Sequence, residues 1–133
     1  MIPKEWVNLV KDGLKYSYAP YSGIKVSALA ITPDGKVYRG VNVENSSLGL
    51  TVCAERVAIF NAVANGERKI KTIVLTSSLD EPIYPCGACL QVMSEFGVGE
   101  VIIIHGDKIV RHDFRELFPR PFNWRKEETE KNN

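Results

Sequence analysis

Cys53-Ala54-Glu55-Arg56-Val57-Ala58-Ile59-Phe60-Asn61-Ala62-Val63-Ala64-Asn65-Gly66 is the stretch from which the fold is read. It predicts a helix from Cys53 to about Asn65, closed by Gly66, a residue suited to the left-handed turn past a helix end. Its apolar residues leave almost no polar face, so the helix is expected to be buried on most sides. Strand-like runs flank it, Lys36 to about Val43 before and Ile70 to Thr76 after. A strand, a covered helix and a strand form the unit that pairs strands in parallel through a crossover.

Working outward, the unit repeats. Ser77 to Pro85 reads as a loop and Gly87 to Phe96 as a helix with Leu90, Val92, Met93 and Phe96 on one side, stopped by Gly97 and Gly99. Val101-Ile102-Ile103-Ile104 is a continuous apolar run, as expected of a strand covered on both faces. Gly106-Asp107 turns the chain into a short fifth strand, Lys108 to Arg111, and Asp113 to Phe118 reads as a last helical turn or two. Upstream, Lys25 to Thr32, the Pro33-Asp34-Gly35 turn and Lys36 onward form a hairpin. Before it, Trp6, Leu9, Val10 and Leu14 recur at helical steps, predicting a helix from Pro3 to about Tyr18 that Pro20 and Gly23 break. The expectation is an α/β fold, one mixed five-stranded sheet with helices on both faces. It forms a single domain spanning residues 1–133, with a frayed tail from about Arg125.

Length and composition agree with this. The chain has 133 residues, 44% of them hydrophobic and 25% charged, the profile of an ordinary globular domain. A formal net charge of +1 gives no electrostatic argument for nucleic acid or an anionic membrane. No apolar run approaches the roughly 20 residues that span a bilayer. The N-terminus lacks a basic segment followed by an apolar one, so no secretion is expected, and the cytoplasm is the expected location.

The chemistry gathers at the starts of the two central helices. Cys53-Ala54-Glu55-Arg56 opens one, and Pro85-Cys86-Gly87-Ala88-Cys89 opens the other; together they hold all three cysteines. Both helix starts are expected at the carboxyl ends of strands, where open α/β sheets place their ligand sites. Cys86 and Cys89 can converge across a first turn. Cys53 and Glu55, two apart, can face one metal only if Cys53 sits at the irregular helix start. Three thiolates leave one position of a tetrahedral zinc free, the ligand count of a catalytic site. Such a centre carries a net −1 and acidifies water less than zinc held by neutral imidazoles. Glu55 offers a base beside it, and Arg56, three residues from Cys53, offers a cation that draws charge from the sulfur atoms.

Two other readings of the cysteines stand beside this one. A lone C-x-x-C at a helix start also describes a dithiol redox centre. A purely structural zinc needs a fourth protein ligand, for which only His105 and His112 offer an imidazole. Both fall near strand ends, where a histidine ordinarily serves packing or the surface.

At these motifs the chain resembles the cytidine deaminase family in its short homotetrameric form with three cysteine ligands. The resemblance runs over about residues 14 to 122. It takes in Tyr18-Ala19-Pro20-Tyr21-Ser22, then Asp34-Gly35-Lys36-Val37-Tyr38-Arg39-Gly40, and then Val41-Asn42-Val43-Glu44-Asn45. The two cysteine stretches and Arg115-Glu116-Leu117-Phe118-Pro119 complete it. It implies a three-layer α/β/α sandwich and one Zn²⁺ per subunit on Cys53, Cys86 and Cys89. Glu55 would be the proton shuttle in hydrolytic deamination of cytidine and 2'-deoxycytidine to uridine and 2'-deoxyuridine plus ammonia, a step of pyrimidine salvage. It also implies Asn42 and Glu44 as the pair that holds the ribose and the backbone of Ala54 as reader of the base edge. Phe122 would reach the site of a neighbouring subunit in a homotetramer with shared active sites. Ile24 and Leu48 stand where family members carry aromatic residues near the substrate. The alternative substrate is therefore a modified cytosine nucleoside such as blasticidin S. Editing of cytosine within a polymer would call for a basic track or stacking platform, which Lys126, Glu127, Glu128, Glu130 and Lys131 do not make. A non-catalytic, zinc-stabilised interaction module is the third reading.

Overall fold

The computed structural model describes residues 2–124, so the tail from Arg125 lies outside the described residues. The elements run α1 (Lys4–Asp12), a 3-10 turn (Gly13–Tyr16), β1 (Val26–Ile31), β2 (Val37–Val41), a second 3-10 turn (Leu48–Leu50) and α2 (Ala54–Ala64). They continue with β3 (Thr72–Ser77), α3 (Gly87–Glu95), β4 (Glu100–His105), β5 (Lys108–Asp113) and α4 (Phe114–Leu117). One five-stranded sheet has the order β2-β1-β3-β4-β5.

Strand alternation explains the layers. Ala28 and Ala30 of β1, Ile73 and Leu75 of β3, and Val101 and Ile103 of β4 point to one face. There they pack with Ala54, Ala58, Ile59 and Ala62 of α2 and Cys89 and Met93 of α3. Leu29, Ile31, Val74, Ile102 and Ile104 point the other way, onto Ile2, Trp6, Val7 and Val10 around α1. The central strands are buried on both sides, which is why they read as unbroken apolar runs. β5 is the exposed edge and mixes Lys108, Arg111, His112 and Asp113 with its apolar residues.

Three expectations need correction. The first helix is α-helical only to Asp12 and tightens into a 3-10 turn ending at Tyr16. β2 and β3 run in the same direction but do not pair; β1 lies between them, antiparallel to both. The hairpin fixes β2 on one edge of β1, leaving the other edge for β3, and the β3–β4 pair is the parallel one among the described strands. Finally, α2 is less enclosed than its composition suggested, since Phe60 is 49% exposed on its outer side.

The shared direction of β2 and β3 matters more than their adjacency. It brings the starts of α2 and α3 to the same end of the sheet, and with them cysteines separated by more than thirty residues.

Candidate metal centre

Cys53 is the N-cap of α2 and Cys86 the N-cap of α3, each in extended backbone geometry and neither with a side-chain capping bond. The leading N–H groups of both helices are therefore open to the thiolates, and both helix dipoles favour negative charge there. Cys89 sits one turn into α3 and is fully buried. The Sγ atoms of Cys53 and Cys86 are 3.9 Å apart, and those of Cys86 and Cys89 are 3.5 Å apart. All three sulfur atoms lie within 4.8 Å of one another.

These spacings fit zinc. Tetrahedral Zn–S bonds of about 2.3 Å place neighbouring sulfurs about 3.8 Å apart. Among the described residues neither His105 nor His112 joins the cluster. His112 instead lies with Nδ1 3.6 Å from Glu116 Oε2, its ring edge-on to Tyr84. The three cysteines form no disulfide.

The charges around the cluster follow from its geometry. The Cys53 thiol is held down to about 5, first by the hydrogen bond from Cys89 and then by Arg56. Cys89 is pushed up, because the anion beside it leaves the proton on its own sulfur. Arg56 donates from Nη2 to Cys53 Sγ at 3.6 Å, while its Nε is buried without a partner. Glu55, in the first turn of α2, is 4% exposed, and burial raises its carboxyl to about 7. The Cys53 thiolate adds to that rise; the Glu55 main-chain N–H and Arg56 oppose it. A carboxyl balanced near neutrality beside a metal cluster can both take and return a proton.

Asn42 and Glu44 lie at the same end of the sheet and are nearly buried. Both already hold the protein together. Asn42 Oδ1 accepts from the Ser17 hydroxyl and from Val26 N–H at 2.9 Å, and Nδ2 donates to the Ile24 carbonyl at 2.8 Å. Glu44 Oε1 accepts from Tyr21 N–H at 2.9 Å and Ser22 N–H at 3.1 Å, and Oε2 from the Ser22 hydroxyl. The hydroxyl of Ser22, then its N–H and that of Tyr21, keep Glu44 below the usual carboxylate range. By donor and acceptor count, one Asn42 N–H and one Glu44 lone pair remain for a ligand. Ser17, Tyr21 and Ser22 were not singled out from sequence as organisers of this pair. The Tyr-Ala-Pro-Tyr-Ser turn was the available signal, since hydroxyls beside a proline turn commonly bond nearby polar groups.

Ala54 is buried at the head of α2, whereas Ile24 and Leu48 are exposed. Tyr21, Ser22, Glu44, Leu48 and Thr51 line a cleft of about 390 Å³. Phe122 is 73% exposed, and its carbonyl accepts from Gln91 Nε2 at 2.9 Å, tying the segment to α3.

Sequence and structure comparisons agree with this geometry. Residues 2–105 match the family model described as the cytidine and deoxycytidylate deaminase zinc-binding region. A probable cytidine deaminase of Dictyostelium discoideum is 45% identical over 103 residues, covering 77% of this chain and 70% of its own length. The cytidine deaminase of Halalkalibacterium halodurans is 38% identical over 112 residues, covering 82% and 83%. The crystal structure of cytidine deaminase from Burkholderia pseudomallei superposes with a TM-score of 0.85 at 40% identity, covering 92% of this chain and all of that one. With a match over most of its length, the chain belongs to the cytidine and deoxycytidylate deaminase family.

Proposed function

We propose that the protein is a zinc-dependent hydrolase that deaminates cytidine and 2'-deoxycytidine to uridine and 2'-deoxyuridine with release of ammonia. The observation that carries this is the three-sulfur cluster at zinc spacing with a buried carboxyl in the adjoining helical turn. Cys53, Cys86 and Cys89 would hold the metal, which would supply the Lewis acidity that makes water a nucleophile at neutral pH. Glu55 would take one proton from the attacking water and pass it to N3 of the pyrimidine, then take the second from the hydroxyl added at C4 and give it to the departing amine, leaving the carbonyl of the uracil base. Burial, which raises the Glu55 carboxyl, favours its uptake of a proton. Arg56 draws charge from Cys53 and keeps the centre electrophilic.

The sugar end argues for a nucleoside over a nucleotide. Glu44 lines the cleft as an anion, and among the described residues its lining includes no cation to meet a phosphate. The remaining N–H of Asn42 and lone pair of Glu44 suit a ribose hydroxyl, which donates and accepts. A second reading, a modified cytosine nucleoside, is favoured by Leu48, which lines the cleft, and by Ile24, both of them aliphatic and exposed.

We further propose a homotetramer of single-domain subunits in which Phe122 completes a neighbour's site. The support is the exposure of Phe60, Leu48, Leu50, Phe122 and Trp124, apolar side chains that a neighbouring subunit would cover. A role in cytoplasmic pyrimidine salvage accords with that substrate. Among the described residues, no helix is long and apolar enough to cross a membrane.

Purified, zinc-loaded protein is expected to convert cytidine to uridine, read as loss of absorbance in the cytosine band. Glu55→Gln is expected to keep its zinc and lose several orders of magnitude in kcat. Near-normal turnover by that variant would remove Glu55 from the mechanism. A panel of free, 5'-phosphorylated and substituted cytosine nucleosides, ranked by kcat/KM, separates the two substrate readings.

A further inference from the structure

Gly40 sits in β2 opposite Ala28 of β1, buried beneath α2. A methyl group built at this position would lie 2.2 Å from the Ala58 nitrogen, 2.6 Å from the Ala54 carbonyl oxygen and 2.7 Å from Ala58 Cα. All three are main-chain atoms, so no side chain can swing aside to make room. Ala54 and Ala58 are the i, i+4 acceptor and donor of the first turn of α2. Glu55 lies in that turn, and Cys53 caps it.

The strand side of the contact leads to the other half of the site. Asn42 and Glu44 follow Gly40 at two-residue steps, so all three share one face of the strand and its extension. Burial keeps this alternation: Asn42 and Glu44 are buried, whereas Val43 between them is exposed. One missing side chain therefore sets how close the turn bearing Glu55 comes to the strand that leads into Asn42 and Glu44. The alanines of the adjoining seam, Ala28 and Ala30 of the sheet and Ala54, Ala58 and Ala62 of the helix, keep that approach tight along its length.

We propose that Gly40 is a positioning residue that fixes the separation between the sugar-holding and proton-transferring halves of the site. This rests on the deaminase reading above. A Cβ at position 40 reaches ordinary contact only if α2 retreats by about 1 Å. A misplacement of that size costs about 100-fold in rate when it falls on the reacting geometry. The loss belongs in kcat: the sugar still meets Asn42 and Glu44, but the base no longer meets Glu55 in register.

The test compares wild type with Gly40→Ala, both zinc-loaded and scored for zinc content and folded fraction. Turnover of cytidine and calorimetric affinity for uridine are measured on each. The expected result is about 100-fold lower kcat per folded, zinc-bearing chain, with uridine affinity within about threefold of wild type. A folded, zinc-loaded variant with wild-type kcat overturns the proposal. So does a loss that only follows the missing fold or missing zinc. Where Gly40→Ala is not recovered folded, Ala58→Ser adds one atom at the same seam from the helix side. It is expected to lower kcat about tenfold with uridine affinity kept, and wild-type kcat there overturns the proposal too. Wild-type turnover is measured first. Its absence sinks the deaminase reading and this inference together, whereas normal wild-type turnover with an indifferent Gly40→Ala sinks the inference alone.

Discussion

Glu44 accepts three hydrogen bonds from the Tyr21-Ser22 turn, and a charged carboxylate accepts them better than a neutral one. That preference is the reason it resists protonation in the fold. Its affinity for a proton is lowered relative to the unfolded chain, so the unfolded state binds more protons as the pH falls. The stabilisation is complete above the ordinary carboxylate value and fades as pH drops through the lower, folded one. Glu44→Gln is accordingly expected to melt below wild type at neutral pH, with the gap closing as the pH falls below the ordinary carboxylate value. Melting curves across that range check it. A gap that stays constant would mean that the turn does not depend on the charge. At this scale the sequence offered the identities of Cys53, Cys86, Cys89, Glu55 and Arg56 and the alternation of Asn42 with Glu44. It did not offer the donors from Ser17, Tyr21 and Ser22. They lie some twenty residues away in sequence and meet the pair only when the chain folds back on β2.

Among the elements, α4 shows how little sequence can suffice to stop a strand and start a helix. Asp113 closes β5 and accepts from Arg115 N–H at 2.9 Å, while its own N–H donates to Glu116 at 3.3 Å, a reciprocal cap. That places Phe114 into the core beside α3. Asp113→Ala is expected to cost about 1 kcal/mol. In a chain of this length that lowers Tm by about 4 °C. Calorimetry reads it, and an unchanged Tm would deny the cap any energetic part. Element types were legible because periodicity and burial coincide: β3 and β4 are covered on both faces, and α3 on one. The 3-10 ending of the first helix and the exposure of Phe60 were not legible. They depend on which neighbour covers a given face, and periodicity is silent on that.

Across the whole molecule, the cysteine cluster joins the starts of α2 and α3, two helices that follow different strands of the sheet. Its binding free energy is therefore also a tie between α2 and α3. Chelation of the zinc-loaded protein is expected to lower Tm by several degrees, and zinc to restore it. The stripped protein is expected to react with a thiol reagent at Cys86 first, since that residue is exposed, and at Cys89 last, since it is buried. Mass-mapped labelling with and without zinc checks both. Equal Tm before and after chelation, or uniform labelling in both states, would mean that the cluster does not hold the metal.

From its own order the chain established an α/β sheet with covered central strands, two helices each opened by cysteine, and one acid and one cation beside the first. These are local or periodic properties, written into spacing and residue type. Tertiary structure alone decided that β1 stands between β2 and β3, that the three sulfurs meet at zinc spacing, and that Asn42 and Glu44 are held by a distant turn. It also decided that Gly40 lets α2 rest against β2. Each of these depends on distances between segments far apart along the chain. Such distances are set by how close main chains can pack, and spacing along the sequence does not encode that.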